Sequence, residues 1–431
     1  MAQLSDDCFA FGGPLLSVDD VERLMADRVN AVAERADVAL AQALGRVTAD
    51  DVRAAVNLPS FDNSAVDGYA VRFADLNKTG ETRLLVAGRA QAGSRGVVAV
   101  EAGQAVRIFT GAAMPPGTDT VFMQEDVQAH GDAVVVPSGL KIGANRRLIG
   151  EDVEADSVVI KAGCRLQPQH IAMASAIGLT HLNVRRKVSI ALFSTGDEIV
   201  EPGTPLRHGA VYDANRPLLA AMARRLGADV TDLGILADEP GVVTRSLASA
   251  ARDHDLVITS GGVSTGEADH VRDAVEKAGR LVFWRIAIKP GRPVAMGVLS
   301  AGEAGHGKSD AAHNAAFVGL PGNPVAAFVT FARVVRPLLL RLMGAGTEQL
   351  VAFPVRSAFT YRKKTGRREY VRVTLARGAD GFLEASKHTQ DGAGVISSLT
   401  ATDGLAELPE DVTSVTPGDH VGFISYAALM G

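Results

Sequence analysis

The sequence predicts a multidomain α/β protein. Its expected centre is a doubly wound parallel-sheet domain, accompanied by a β-rich domain, a mixed helical and extended domain and a C-terminal β-barrel-like domain. Three observations predict this. Strands alternate with helices between residues 187 and 343, Gly- and Pro-punctuated β segments flank that stretch, and 431 residues give a prior of about three domains at roughly 150 each.

The stretch to residue 55 reads as helical. Ser17 is a plausible N-cap with Asp20 three residues on, and Val18, Val21, Leu24 and Met25 share a face. Asp37 to Leu44 reads as a second short helix. From 56 to 145 the texture changes to short strands. Leu84–Val86, Val97–Val100 and Val134–Val136 are β-like, separated by Gly93, Gly103, Pro115-Pro116-Gly117 and Gly131. From 146 to 186 the pattern is mixed, with a helix over Gln169–Ile177.

Residues 187–343 carry the clearest periodicity. Strands are expected at Lys187–Phe193, Val230–Leu236 and Leu256–Thr259. Helices are expected at Asn215–Leu226, Val242–Arg252 and Ala268–Ala278, with Gly227 and Gly279 as stops. Such alternation implies a parallel sheet covered on both faces, with ligands at the carboxyl ends of its strands. The last region, 345–431, is β-rich, with strands at Val371–Leu375 and Val421–Ser425 and turns at Gly366, Gly381, Gly404 and Pro417-Gly418. Ala301–Asn314 reads AGEAGHGKSDAAHN, a flexible surface insertion; no strand leads into its GK, so it is not a phosphate-binding P-loop.

Composition excludes several classes. Net charge is −5 and aromatics are 5%, which argues against nonspecific nucleic-acid binding and base stacking. Cys8 and Cys164 lack metal-ligand spacing and fit a reducing compartment, each a core filler rather than a nucleophile. The ten His likewise lack ligand spacing, and no Ser/His/Asp triad is evident. The N-terminal MAQLSDDCFAFGG has no basic n-region or long apolar core. The most apolar run, Val325–Met343, is broken by Arg333, Arg336 and Pro337. The expectation is a soluble cytoplasmic protein without membrane contact.

Chemistry concentrates in a few strand-exit loops. Thr259–Asp269, TSGGVSTGEAD, lies between a strand and a helix. Gly261 and Gly262 let backbone N–H groups crowd an anion, and Ser260, Ser264 and Thr265 offer hydroxyls to phosphate. Leu192–Gly203 ends its strand with Asp197 and Glu198, and Asp238-Glu239-Pro240 and Asp269 close two further loops. Two carboxylates about 4 Å apart repel by roughly 4 kcal/mol at an effective dielectric of about 20, so convergence calls for a cation or a shared proton. Beside phosphates, Mg²⁺ suits the donor set; Asp238 alone reads equally as a helix cap. Trp284–Pro293 places Arg285, Lys289 and Arg292 on a strand and its exit turn, either as a solvated basic turn or opposite the anion loop. Asn323 in GLPGNP either caps the following helix or touches ligand. Tyr361–Arg372, YRKKTGRREYVR, is a basic hairpin, a solvated strand edge or a receiver of an anionic cofactor.

Taken in order, FDNSAVDGYAVR, RIFTGAAMPPGTDTV, NRRLIGED, FSTGDEIV, YDANR, TSGGVSTGEAD, AIKPGRP and GLPGNP resemble the molybdopterin molybdenumtransferases, the family that includes the gephyrin E-domain. The resemblance covers residues 15 to 425 or so. It implies four domains, which we bound as 1–55 with 146–186, 56–145, 187–343 and 345–431. It implies an elongated homodimer whose site joins the third domain of one subunit to the first two of the other. It implies molybdate and adenylylated molybdopterin as substrates, Mg²⁺ as cofactor, AMP as product, and an adenylyltransferase and molybdoenzymes as partners. By motif matching, Asp67, Thr110, Asp152, Glu198, Asp238 and Asp269 become candidate catalytic residues, with Glu198, Asp238 and Asp269 as metal ligands. Ser260, Gly261, Gly262, Ser264, Arg285, Lys289, Arg292, Asn323 and Arg372 become candidate substrate-binding residues. Arg285 stands where many relatives carry Lys, and Ala393 replaces a frequent hydroxyl residue. A bare adenylyltransferase and a noncatalytic scaffold are the competing readings; the remaining domains argue against the first, and the missing adenylyltransferase domain and linker against the second.

Overall fold

The computed structural model describes residues 15–32, 34–94, 99–237, 240–262, 270–291, 293–300, 314–346 and 348–431, with the backbone alone at 240, 270, 272, 281–285 and 293. At its centre stands a six-stranded sheet. Its elements are β1 (Ser189–Thr195), α1 (Asn215–Arg225), β2 (Asp229–Leu236), α2 (Pro240–Asp253), β3 (Leu256–Ser260), α3 (His270–Ala278), β4 (Gly279–Arg285), β5 (Pro293–Ser300), β6 (Asn314–Leu320) and α4 (Pro324–Thr330). The strand order is β2-β1-β3-β6-β5-β4.

Strand alternation explains the layering. Ile190 and Leu192 of β1, Leu256 and Ile258 of β3, and Ala316 and Val318 of β6 enter one core, with α1 and α4. Their neighbours Ala191, Phe193, Val257, Ala315 and Phe317 enter the other, with α2 and α3. Strands buried on both faces read as continuous apolar runs, which is how they stood out in the sequence. The pairs β1–β2, β1–β3 and β3–β6 are parallel, whereas β5 and β4 join antiparallel. The expected parallel sheet is thus extended by an antiparallel pair. Alternation with helices could not announce those strands, because among the described residues no helix separates β4 from β5.

The apolar run from residue 324 is one continuous helical rod, α-helical over Pro324–Thr330, π-helical over Phe331–Val335 and α-helical again over Arg336–Leu342. Its buried arginines are paired: Arg333 with Glu22, and Arg336 with Glu348. Among the described residues no helix is long and apolar enough to cross a membrane.

Ahead of this centre, the helix Val18–Arg28 begins with the expected reciprocal cap between Ser17 and Asp20. Asp37–Leu44 departs from expectation. Arg35–Ala39 is a strand paired antiparallel with His181–Arg185, and only Leu40–Gln42 turns, as a single 3₁₀ turn. Pairing with a partner some 140 residues away overrides the local helical pattern. The Gln169–Ile177 expectation is met by a helix over Pro168–Ala176. The β-rich region holds a six-stranded sheet whose members include Gly68–Val71, Thr82–Ala90, Gln104–Ile108, Thr120–Met123 and Ala133–Val136. Of the expected strand Val97–Val100, residues 97 and 98 lie outside the described residues, and 99 and 100 are not in a strand. Gly68 is required there, since a Cβ would overlap the Phe122 carbonyl of the neighbouring strand.

The C-terminal region is a closed five-stranded barrel of β7 (Phe353–Ser357), β8 (Arg368–Arg377), β9 (Leu383–Lys387), β10 (Gly404–Leu408) and β11 (His420–Ser425). The ring β8-β9-β7-β11-β10 closes through β8–β10 pairing, around Val355, Val373, Ala385, Ala406 and Phe423. Outside the ring, Ile288–Lys289 pairs in parallel with Arg368–Glu369 at the start of β8. Among the described residues two main-chain links join barrel and α/β centre: that pairing, and the Val325 N–H donating to the Ala393 carbonyl at 3.0 Å. Because the second link uses the carbonyl, it does not depend on a hydroxyl at position 393.

Candidate functional site

Between the carboxyl ends of β1 and β3 and the barrel lies a cavity of about 960 Å³. The α/β centre contributes Ser194, Thr195, Glu198, Asn215, Ser260, Gly261, Gly262, Lys289 and Asn323; the barrel region contributes Tyr361, Tyr370, Arg372 and Asp391. This is where ligands of parallel sheets sit, because successive strand-to-helix loops diverge there and open a crevice.

The floor is polar and incompletely satisfied. Asn215, at the start of α1, donates from Nδ2 to Ser260 Oγ at 2.8 Å and to the Gly322 carbonyl at 2.7 Å. Among the described residues its Oδ1, Ser194 Oγ and Thr195 Oγ1 are buried without a hydrogen-bond partner. Leaving buried polar groups unpaired costs about 1–3 kcal/mol each, so this floor is built for a polar occupant or ordered water. Gly261 and Gly262 have φ of 89° and 65°, and a Cβ at Gly261 would stand 2.7 Å from the Thr195 carbonyl oxygen. The glycines are therefore needed for backbone course and close approach.

The opposite wall is cationic. Lys289 Nζ donates to Tyr361 Oη at 3.1 Å and to Glu369 Oε2 at 3.0 Å. Burial works against the Lys289 ammonium, yet the hydrogen bonds to Tyr361 and Glu369 outweigh it and hold its pKa above the usual lysine value. Arg372 is buried at 5% exposure. It donates to the Gln390 and Gly392 carbonyls, while its Nε has no partner among the described residues. Asn323 makes no side-chain cap to α4, so of its two readings the capping one fails. The basic hairpin is not simply a solvated edge. Lys363 Nζ donates to the Pro409 and Val412 carbonyls at 2.7 Å each, and Arg367 pairs with Glu369.

Of the expected site residues, Glu198, Ser260, Gly261, Gly262, Lys289, Asn323 and Arg372 share this cavity. Asp67, Thr110 and Asp152 do not line it. Asp67 and Thr110 meet each other instead, with Asp67 Oδ1 accepting the Thr110 N–H and hydroxyl, both at 2.8 Å. Those bonds, the backbone one foremost, hold the Asp67 carboxyl below the usual aspartate range. Asp152 is exposed, its N–H donating to the Leu58 carbonyl at 3.0 Å. Asp238, Ser264, Asp269 and Arg292 lie outside the described residues, and Arg285 is described by its backbone alone, in β4 opposite Pro293. Among the described residues no group of three or more His, Cys, Asp or Glu could hold a metal ion.

Residue-by-residue reading missed Asn215, Asp213 and Glu369 as working parts. Asp213 is buried in the cavity lining and accepts the Arg216 N–H and Nε–H at 3.1 and 2.9 Å. YDANR contained two of them, and its signal was polar residues opening an apolar helix. Glu369 gave no local signal.

Comparison with known proteins gives three consecutive family matches. Residues 16–178 match the MoeA N-terminal region (domain I and II), 191–341 a probable molybdopterin binding domain, and 354–426 the MoeA C-terminal region (domain IV). The chain is 36% identical to the molybdopterin molybdenumtransferase of Haemophilus influenzae over 97% of this chain and 100% of that one. It is 33% identical to that of a Nostoc species over 95% and 93%. Its fold is similar to the crystal structure of the molybdopterin biosynthesis moeA protein of Pyrococcus horikoshii, with TM-score 0.79 and 27% identity, covering 96% of this chain and 100% of the other.

Proposed function

Because the chain belongs to the molybdopterin molybdenumtransferase family, transferases of molybdenum cofactor biosynthesis, we propose that it transfers molybdate to adenylylated molybdopterin and releases AMP in a Mg²⁺-dependent reaction. The observation that carries this reading is the cavity itself. Buried hydroxyls of Ser194 and Thr195 at the end of β1 and the Asn215 Oδ1 acceptor at the start of α1, unpartnered among the described residues, face a wall bearing Lys289 and Arg372. Both substrates are anions. Lys289 and Arg372 would hold their oxygens by charge-assisted bonds, and the Gly261-Gly262 turn would let main-chain N–H groups approach a phosphate.

Of the proposed metal set, Glu198 is among the described residues; it lines the cavity and is exposed there. With Asp238 and Asp269 it would hold Mg²⁺, whose chemistry is to take carboxylate and phosphate oxygens together and polarise the phosphoanhydride. Asp67, Thr110 and Asp152 lie outside the cavity lining of their own chain, which supports a homodimer in which a second copy supplies them. Two routes fit this chemistry: molybdate oxygen attack on the adenylate phosphorus, and dithiolene capture followed by hydrolysis. With ¹⁸O-molybdate, the first route labels AMP and the second does not.

The test is AMP release by purified protein given adenylylated molybdopterin and Mg²⁺, with and without molybdate. Release should require molybdate and stop on chelation. No release, or release indifferent to molybdate, would overturn the reading. Making adenylylated product from molybdopterin and ATP would favour the adenylyltransferase alternative. Asp269→Ala should abolish AMP release while leaving the circular dichroism spectrum and melting unchanged.

A further inference from the structure

Lys289 reaches the cavity from a two-residue strand, and a lysine there has four flexible side-chain torsions to restrain. The restraint comes from the barrel. Parallel pairing sets Lys289 opposite Glu369 in register. Glu369 is 1% exposed, so its carboxylate is removed from water and must be matched by donors inside the protein. Three donors match it: Lys289 Nζ at 3.0 Å and Tyr361 Oη at 2.8 Å on Oε2, and Arg367 Nε at 2.7 Å on Oε1. The Lys289 ammonium also bonds Tyr361 Oη and lies 5.6 Å from the Tyr361 ring centre. The Lys289 side chain remains 44% exposed, so the ammonium is anchored on one side and open on the other.

We propose that Glu369 is a positioning residue for the transfer reaction: a buried carboxylate that fixes the Lys289 ammonium, charged and aimed, at the cavity wall. This rests on the reading of Lys289 as an anion-binding group. The arrangement solves a specific problem. A lone carboxylate in the cavity would repel anionic substrates, whereas this one is buried behind two cations and leaves a net positive face toward the cavity. It also makes the wall conditional on barrel docking, since Lys289 belongs to the α/β centre and Glu369 to β8. Three donors keep the Glu369 carboxyl below its usual range against the opposing effect of burial, in step with the raised Lys289. Among the described residues the other ionisable groups lining the cavity are Glu198, Tyr212, Asp213, Tyr370, Arg372 and Asp391; none of these hydrogen-bonds or ion-pairs with Lys289, whereas Glu369 does.

The experiment has two readouts. In the first, the intact protein is acylated at a series of pH values with a trace amine reagent, and the Lys289 peptide is quantified by mass spectrometry. The second is the pH profile of molybdate-dependent AMP release. Glu369→Gln should move the Lys289 reactivity midpoint down by about one pH unit or more, and the alkaline limb of activity by the same amount. It should lower kcat/KM by about ten- to a hundred-fold, the range for losing a hydrogen bond to a charged group. Glu369→Asp, which keeps the charge, should recover most of the midpoint. Should Glu369→Gln fail to fold, Tyr361→Phe leaves the carboxylate in place and should give a smaller shift in the same direction. An unchanged Lys289 midpoint in the folded variant overturns the proposal whether or not activity falls. Lys289→Ala separates the two claims. If that variant keeps full activity, the anion-binding reading of Lys289 fails; if it is inactive while Glu369→Gln matches wild type in both profiles, only the positioning role fails.

Discussion

Asp255 shows how one side chain can serve fold rather than chemistry. It stands just before β3 at 1% exposure and bonds Arg186 through both oxygens at 2.7 and 2.8 Å, and the Ser189 N–H and hydroxyl at 2.8 and 3.0 Å. Burial alone would raise its pKa, but these bonds, Arg186 foremost, leave it lowered. A lowered folded value means that its contribution is whole above the ordinary 3.8 and is lost as pH falls through the folded value. Asp255→Ala removes these bonds while Arg186, 32% exposed, can regain water, so it should lose about 1.5–3 kcal/mol in urea unfolding at neutral pH and narrow its deficit below pH ~4. A deficit under about 1 kcal/mol at neutral pH would contradict the assignment. At this scale the sequence was partly legible. Lys289 announced itself by standing before Pro-Gly at a strand exit. Its partner Glu369 did not, because the pairing spans 80 residues and exists only once the barrel docks.

At the scale of elements, local signals held where an end is capped by its own neighbours. Ser17 Oγ accepts the Asp20 N–H at 3.0 Å and the Asp20 carboxylate accepts back. Ser17→Ala should therefore cost about 1 kcal/mol, read as a lower melting temperature with the far-ultraviolet spectrum preserved. Local signals failed at Arg35–Ala39, where the strand partner lies far along the chain. The β5–β6 hairpin offers a second element-scale prediction. Ser300 and Asn314 are cross-strand partners, so 301–313 need only close a hairpin. Replacing them with a four-residue Gly-containing turn should leave melting and molybdate-dependent AMP release within twofold of wild type, as closure entropy changes slowly with length. Loss of either beyond that would give the segment a role.

For the whole molecule, the proposed composite site makes a prediction that no single chain can. Sedimentation equilibrium should give twice the chain mass. Asp67→Ala and Lys289→Ala homodimers should each be inactive. Mixing them under subunit exchange should restore activity, because in each mixed dimer one site carries both defects and the other none. Recovery should approach about half of wild type in the mixed species. A fully monomeric protein, or no recovery in a mixture shown to exchange, would contradict the composite site.

The sequence by itself determined the α/β centre, the glycine turn at 261–262, the cationic candidates Lys289 and Arg372, and the family, because these rest on short-range patterns: alternation, caps, turn chemistry and motif order. Only the tertiary structure decided which of those residues meet. It drew Glu198, Ser260, Lys289, Asn323 and Arg372 around one cavity, left Asp67 and Thr110 paired elsewhere, and gave Lys289 its buried counter-charge. The physical reason is range. A turn or a cap is satisfied by atoms a few residues away, whereas a cavity wall depends on a barrel closing and docking, and on buried charges finding partners that only packing can bring.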